Sequence, residues 1–598
     1  MKILGIHDGH DASACLMING KVISANQEER FSKLKGDYGL PLNAIKSCLK
    51  QAKIKITDID EIAVASHKIN PVLAYIKRNA NFSVFDWVKE QDEFWYKKIY
   101  LKKNKINYYD IFKNNFKKTD KYYNFKNLLN YYNDKKLVAK FKEVRHECIS
   151  KILNFPKENI KFYTHEYCHV FYSYYFYKEK INGVAITSEG IGDFSNGSVG
   201  TFKKGNYKLI SSTTKNHLGH IYQYITLLLG MKPNQHEYKT MGLAPYATEY
   251  EIDKSYPLLK KILKVKGLNV VFDKKPKDLY YHFQKILHGA RFDGIAGAVQ
   301  KFLEITLKEW FLVCKKKLKL NSFYFSGGVA QNIKAAMYLN NSKGIGKVIV
   351  PPAAGDSSLS IGACFLSMHL KNIKIKKKIN ISHISNMYLG YKNNNEEFKN
   401  FIIKKKLHKK YKILRNYKPA QVAKLIADGK IIGRCCGRME FGLRALGNRS
   451  IIADPRKFET VTKINQKIKK RDFWMPFTPS MLFEDKKKFY IDKKNINANF
   501  MCMAFKTTDF GKKNLKAAIH PSDFTIRPQT VKKKDNEDYY NLIKAFKKIT
   551  NVGAVLNTSL NLHGMPIAMD FKDAIYILEN SDLDAMVFDK IVLIKKFL

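Results

Sequence analysis

Two stretches of this chain repeat one local design, and that repeat limits the fold more than any other feature. Phe323 to Asn332 (FYFSGGVAQN) is a buried apolar run that breaks into two glycines and small polar residues ahead of a helical pattern. Val348 to Ala363 (VIVPPAAGDSSLSIGA) does the same. A strand that ends in glycine and opens a helix presents bare backbone N–H groups at a helix N-terminus, where the helix dipole favours an anion. A third strand and polar turn stand at the start of the chain. An apolar run over 2–6 meets the turn His7-Asp-Gly-His-Asp-Ala-Ser13, and a strand pair over 14–25 then closes at Asn19-Gly20. The recurrence predicts a duplicated α/β nucleotide-binding fold.

At 598 residues the chain is too long for one core, so more than one domain is expected. The pattern predicts a helix over 43–52, strands over 61–66 and 161–163, and strand–loop–strand over 183–202. Over 217–247 it predicts a helix followed by a polar loop, and over 292–318 a long helix. Residues 71–150 differ, with 18 aromatic and 18 basic residues in 80 positions and apolar residues at helical spacing. They read as helices inserted between core elements, either a structural cap or a lid that recognises an acceptor. The lysine-rich Lys371 to Lys378 reads as an exposed linker. The expected division is 1–372, a linker over 373–385, and 386–598. The last part, with a helix over 420–428, a strand over 431–437 and short strands on long connections, predicts an α+β domain around a twisted sheet.

The net charge of +53 comes from lysine spread over the whole chain, so a nucleic-acid partner is not expected from it. The field would draw in anionic substrates. No run approaches 18 uncharged apolar residues, so no membrane span is expected, and His7, Asp8, His10 and Asp11 interrupt any signal peptide. Nine cysteines without a CxxC pair point to a reducing cytoplasm.

Arginine is the exception to the lysine habit. There are 94 Lys and 12 Arg, and six of the 12 lie between Arg434 and Arg471. Guanidinium forks onto two oxygens at once, which lysine cannot do. The stretch Gly437 to Ser450 (GRMEFGLRALGNRS) therefore reads as an anion pocket, against the alternative of a helix face with surface ion pairs. His165 and His169, four apart, share one helix face, and Glu189 and Asp356 each sit beside glycine in a strand-end loop. Two imidazoles and two carboxylates suit Fe(II), Mn or Zn. Literally the stretch is HEYCH, the zincin pattern, which would make Glu166 a general base. His10 is a candidate base near neutral pH. Asn557 and Ser559, in NTSLN, could orient an anion or simply cap a turn.

Taken together, these motifs make the chain resemble the NodU/CmcH carbamoyltransferase family. The resemblance runs through GHDAS (Gly9 to Ser13), EERFSKLK (Glu28 to Lys35), the His165/His169 pair, EYKTMGLAPY (Glu237 to Tyr246), SGGVAQN (Ser326 to Asn332) and PPAAGDSS (Pro351 to Ser358). It continues through GRMEFGLRALGNRSIIADPR (Gly437 to Arg456), PFTPS, RPQTV and LNTSLN. It implies an N-terminal Kae1-like domain of the actin/Hsp70-like ATPase class and a C-terminal YrdC-like domain. The implied reaction makes carbamoyl-adenylate from carbamoyl phosphate and ATP, with Mg, then passes the carbamoyl group to the hydroxyl of a small-molecule acceptor. A threonylcarbamoyl-type tRNA modifier is the alternative, and a homodimer is left open. Carried over by motif, His10 would activate the hydroxyl, and His165, His169 and Asp356, with Glu189, would hold a divalent metal, Fe(II) first. Lys35, Lys239, Gly327, Gly328 and Asn332 would lie along the nucleotide. Arg438, Arg444, Arg449, Arg471 and Arg527, with Asn557 and Ser559, would hold carbamoyl phosphate and ATP. The chain departs from the family pattern at Glu166, where a second histidine is usual, at Glu189, where an aspartate is, and at Leu443, where a proline is common.

Overall fold

The computed structural model describes every residue except 80–81, 117–122, 124–134, 376–379, 497–498 and 597–598. The chain forms two compact units, one of Met1–Glu29 with Gly36–Ile384, the other of Arg30–Lys35 with Ser385–Leu598.

The first unit holds two five-stranded sheets of the same design. In one, the order across the sheet is Lys21–Gln27, Ser13–Ile18, Lys2–His7, Glu61–Ala65 and Ile160–Tyr163. In the other it is Asn206–Thr213, Gly197–Lys203, Gly183–Ser188, Phe323–Ser326 and Val348–Ile349. In both, the first three strands in chain order form an antiparallel meander, the fourth pairs in parallel with the meander's first strand, and the fifth pairs in parallel with the fourth. The duplication expected from the glycine turns is therefore present strand for strand. The pioneer strands Lys2–His7 and Gly183–Ser188 are buried almost throughout. Parallel neighbours bring crossover helices to their faces, so these strands read as continuous apolar runs.

Helix Leu359–Lys374 packs on the strand Lys2–His7 and on helix His165–Phe176. It runs to Lys374, through part of the stretch read as a linker, because Leu359 to His369 is a fully buried face that carries its last turn along. Residues 376–379 of that stretch lie outside the described residues. The 27-residue helix Phe292–Leu318 carries Lys315, Lys316 and Lys317 in its last turn, which complements the dipole, and ends on Lys319 in the left-handed region. The polar loop expected after helix Leu218–Leu228 instead contains a second helix, Glu237–Leu243, whose Lys239 to Leu243 are buried. Between Pro71 and Leu153 the described residues are helical for the most part, as the aromatic spacing predicts.

The second unit is built on an eight-stranded mixed sheet. Its order is Tyr411–Arg415, Ile591–Lys595, Ala585–Val587, Ile432–Cys435, Arg449–Ala453, Ala554–Ser559, Thr478–Leu482 and Gln529–Val531. Its apolar core gathers Phe398, Ile451, Leu556, Phe571, Leu578 and Phe588. A small three-stranded sheet, Tyr490–Ile491, Phe505–Thr507 and Thr525–Ile526, stands beside it. The architecture as a whole is mixed α/β.

Candidate active site

Four side chains from three distant segments meet in the first unit. His165 and His169 project from the first turns of helix His165–Phe176, Glu189 follows the strand Gly183–Ser188, and Asp356 opens the turn before helix Leu359–Lys374. One donor atom from each lies within 4.8 Å of all the others. His165 Nε2 bonds to Glu189 Oε2 and is 3.7 Å from Asp356 Oδ1, while His169 Nε2 is 3.2 Å and 3.5 Å from the same two oxygens. Both imidazoles and Glu189 are buried. Burial opposes a charge on His165, but Glu189 and then Asp356 outweigh it and raise its pKa well above the ordinary value. Burial likewise works against ionised Glu189, yet His165 and His169 hold its carboxyl down at about 2.

This donor set fits a divalent cation. His169 Nδ1 and Glu189 Oε1 are buried without a hydrogen-bond partner among the described residues, an arrangement that costs free energy unless something binds there. The other nitrogen of His165 bonds to the Ser66 hydroxyl at 2.9 Å, which fixes Nε2 as the atom turned inward. Glu166 lies outside the cluster. Its Oε1 accepts from the backbone N–H of Phe194 and Ser195, at 2.8 and 2.6 Å, and so folds the loop that carries Glu189. The zincin reading is corrected on the partners of the two histidines, since Glu189 and Asp356 complete their cluster and Glu166 turns one oxygen to the loop, its Oε2 being buried without a hydrogen-bond partner among the described residues. Asp193, in the same loop, accepts from the N–H of His165 and His67 and caps the helix that carries both histidines.

The glycine turns face this cluster. Gly327 takes φ +93, and a Cβ there would stand 2.6 Å from Ser188 O and 2.7 Å from Glu189 Cγ, so only glycine fits. Beside it, Gly328 opens onto free space. Asn332 has structural partners. Its carboxamide caps helix Ile333–Asn341 through Ala335 N–H and exchanges two hydrogen bonds with Gln300, so it is largely committed to the fold. Lys239 is buried on helix Glu237–Leu243.

His10 sits on the turn that leaves the strand Lys2–His7. Ser13 ties that turn to the Asp356 loop, bonding to Ser357 O and to the Ser360 hydroxyl, each at 2.8 Å. His7, at the strand end, lies with its ring 6.4 Å from that of His165, and burial drops its pKa to about 4. The His10 side chain is 23% exposed, and the edge of Tyr38 packs against it at 5.3 Å. Asp8 is fully buried; burial pushes its pKa upward, but the Arg145 guanidinium outweighs this and holds it below the usual range.

In the second unit the arginines divide. Arg449 is fully buried, and its guanidinium donates to the carbonyls of Met569 at 2.9 Å and of Cys436 and Asn448 at 2.8 Å, with Tyr391 O at 3.5 Å. Arg438 donates to the carbonyls of Gly390 and Leu389. Both guanidiniums thus bond to backbone carbonyls of their own unit. Asn557 is likewise buried, bonded to Ala445 O, Ser480 Oγ and Gln529 Oε1. Arg444 and Arg527 are half-buried. Arg471 lies over the Phe477 ring at 4.8 Å.

A different cation stands out. Lys469 is buried, and its Nζ bonds to the carbonyl and hydroxyl of Ser559 and to the carbonyl and side chain of Asn561. Burial, and then the charges of Arg471 and Lys35, push its pKa well below the usual lysine value. Lys35 belongs to the second unit. Lys469 escaped the sequence reading because one lysine among 94 carries no signal.

Residues 2–365 match the carbamoyltransferase N-terminus family and residues 423–595 the carbamoyltransferase C-terminus family. An uncharacterized protein of Methanocaldococcus jannaschii is 30% identical over 610 residues, covering 99% of each chain. Nodulation protein NolNO of Sinorhizobium fredii is 27% identical over 98% of this chain and 79% of its own. The 3'-hydroxymethylcephem-O-carbamoyltransferase of Amycolatopsis lactamdurans is 30% identical over 162 residues, 27% of this chain and 30% of that one. Among the described residues no helix is long and apolar enough to cross a membrane.

Proposed function

Because the chain belongs to the carbamoyltransferase family and is a carbamoyltransferase, we propose that it works in two steps on a hydroxylated small molecule. The second unit, YrdC-like in this reading, makes carbamoyl-adenylate from carbamoyl phosphate and ATP and releases pyrophosphate. The first unit, Kae1-like, passes the carbamoyl group to an acceptor hydroxyl, that of a sugar or another hydroxylated metabolite.

The observation that carries the reading is the four-donor cluster, tied through Ser13 to the turn that bears His10. His165, His169, Glu189 and Asp356 would hold a divalent metal, Fe(II), Mn or Zn, which would supply positive charge against the adenylate phosphate. His10, partly open to solvent, takes the acceptor's hydroxyl proton as the oxygen attacks the carbamoyl carbon and AMP leaves. Gly327 and Gly328 let the adenylate lie close to backbone. In the second unit Lys35, Arg444, Arg471 and Arg527 would provide the positive charge that lets two phosphorylated reactants sit together, with Lys469 drawn to its charged form once an anion binds beside it. Candidate acceptors, incubated with enzyme, ATP and carbamoyl phosphate, are expected to gain a carbamoyl group by mass spectrometry only when both co-substrates are present. Carbamoylation without ATP would overturn the adenylate route.

A further inference from the structure

Residues 71–150 hold only two arginines, Arg78 and Arg145; Arg145 binds the turn that carries His10, and Arg78 binds Asp37, which braces that turn. Arg145, on helix Lys135–Leu153, is fully buried and grips Asp8 with two bonds, Nε to Oδ2 at 2.7 Å and Nη2 to Oδ1 at 2.6 Å. Its remaining reach goes to the Ser66 and His67 carbonyls. Tyr123, also from the insertion, donates to the same Asp8 carboxylate at 2.5 Å. Arg78, on helix Pro71–Asn79, pairs with Asp37 at 2.8 Å. The carbonyl of Asp37 accepts from Ala12 N–H, and the next residue, Tyr38, packs its ring on His10. The insertion therefore holds the turn two residues before His10 and two residues after it.

We propose that the inserted helices are a clamp on the His10 turn, with Arg78 and Arg145 as its positioning residues. The inference rests on the reading of His10 as the group that takes the acceptor's proton. The chemistry favours this role over a simple cap. A cap needs apolar packing, which the aromatic residues already supply, whereas a buried bidentate ion pair fixes a carboxylate's position and is costly to leave half-made. A lysine-rich chain has placed guanidinium at the two points where a planar fork sets geometry. Small displacements of a catalytic group cost large factors in rate, so such a device pays in the transfer step alone.

The test uses the full chain and needs no acceptor. Amide hydrogen exchange over residues 7–13 and the rate at which diethyl pyrocarbonate modifies His10 are measured in Arg145→Lys, Arg145→Met, Asp8→Asn and the Asp8→Asn/Arg145→Met double variant. Exchange at the turn is expected to rise about tenfold or more in Arg145→Met, with Arg145→Lys intermediate, and His10 modification to quicken with it. The double variant is expected to be no worse than either single, because the pair acts as one unit. The strand Phe323–Ser326 and ATP–pyrophosphate exchange with carbamoyl phosphate are expected to hold within about twofold. If Arg145→Met fails to fold, Arg78→Lys, at a partly exposed pair, takes its place with the same expected direction. An unchanged turn in a folded variant, or additive effects in the double, would overturn the clamp. Absent pyrophosphate exchange in the unaltered protein would instead remove the proposed reaction and leave these readouts standing.

Discussion

Arg449 offers the sharpest test of how the second unit is built. Its guanidinium lies fully buried against three carbonyls at 2.8–2.9 Å, those of Met569, Cys436 and Asn448. Replacing it with methionine strands those carbonyls, and each buried, unpaired acceptor costs about 1–3 kcal/mol. The variant should therefore lose about 3–9 kcal/mol of local stability. Lysine keeps the charge but cannot span three carbonyls with one planar fork, so Arg449→Lys should lose roughly half as much. With about 1.4 kcal/mol per factor of ten, exchange-competent opening of the strand Arg449–Ala453 should become about a hundredfold more frequent in the lysine variant. Native-state hydrogen exchange resolved by mass spectrometry reads this directly. The reasoning is refuted if Arg449→Lys keeps full protection in that strand while its affinity for carbamoyl phosphate or ATP collapses, since the guanidinium would then be a ligand group after all.

Three further outcomes follow from named groups. His169→Ala should lower bound divalent metal from roughly one per chain to almost none by elemental mass spectrometry, since the four donors form one site; an unchanged content would place the metal elsewhere. Glu166→Gln should retain metal but loosen the loop around Phe194 and Ser195, whose N–H groups it accepts, and neither protein should cleave casein. Glu28, buried and accepting from Asn43 and Ala44 N–H, has its pKa pushed by burial up to about 7. An acid raised in the native state binds more protons there than when unfolded, so stability falls as pH rises from about 4.5 to 7. Glu28→Gln should accordingly cost about 3 kcal/mol less near pH 8 than near pH 5 in urea denaturation, and an equal cost at both would contradict the shift.

What could be read from the sequence was local. The glycine turns at Gly327 and Gly355, the histidines four apart at His165 and His169, and the meander closing at Asn19-Gly20 each declare themselves within a few residues. Duplication of the two sheets followed from them. The arginine cluster was legible as a cluster but not in its bonds to backbone. Around Gly437, Gly442 and Gly447, all at positive φ, the backbone leaves its helices and strands, and its carbonyls need donors. Arg434, donating to Gly447 O, and Arg449 supply them. Scarce guanidinium marks a place where geometry matters, and a buried glycine-rich loop meets that description as well as a phosphate does. Contacts at long separation were hidden altogether. Arg145 meets Asp8 from 137 residues away, and Lys469 meets Ser559 across 90, so no spacing rule reaches either.

The most direct measurement of the central claim is ATP–pyrophosphate exchange by the purified chain with carbamoyl phosphate as the second reactant. Exchange should depend on carbamoyl phosphate, should fall steeply in Lys469→Met, and should persist in His10→Ala, which acts only afterwards. Exchange that proceeds equally well without carbamoyl phosphate, or that disappears in His10→Ala while Lys469→Met retains it, would contradict the division of labour between the two units.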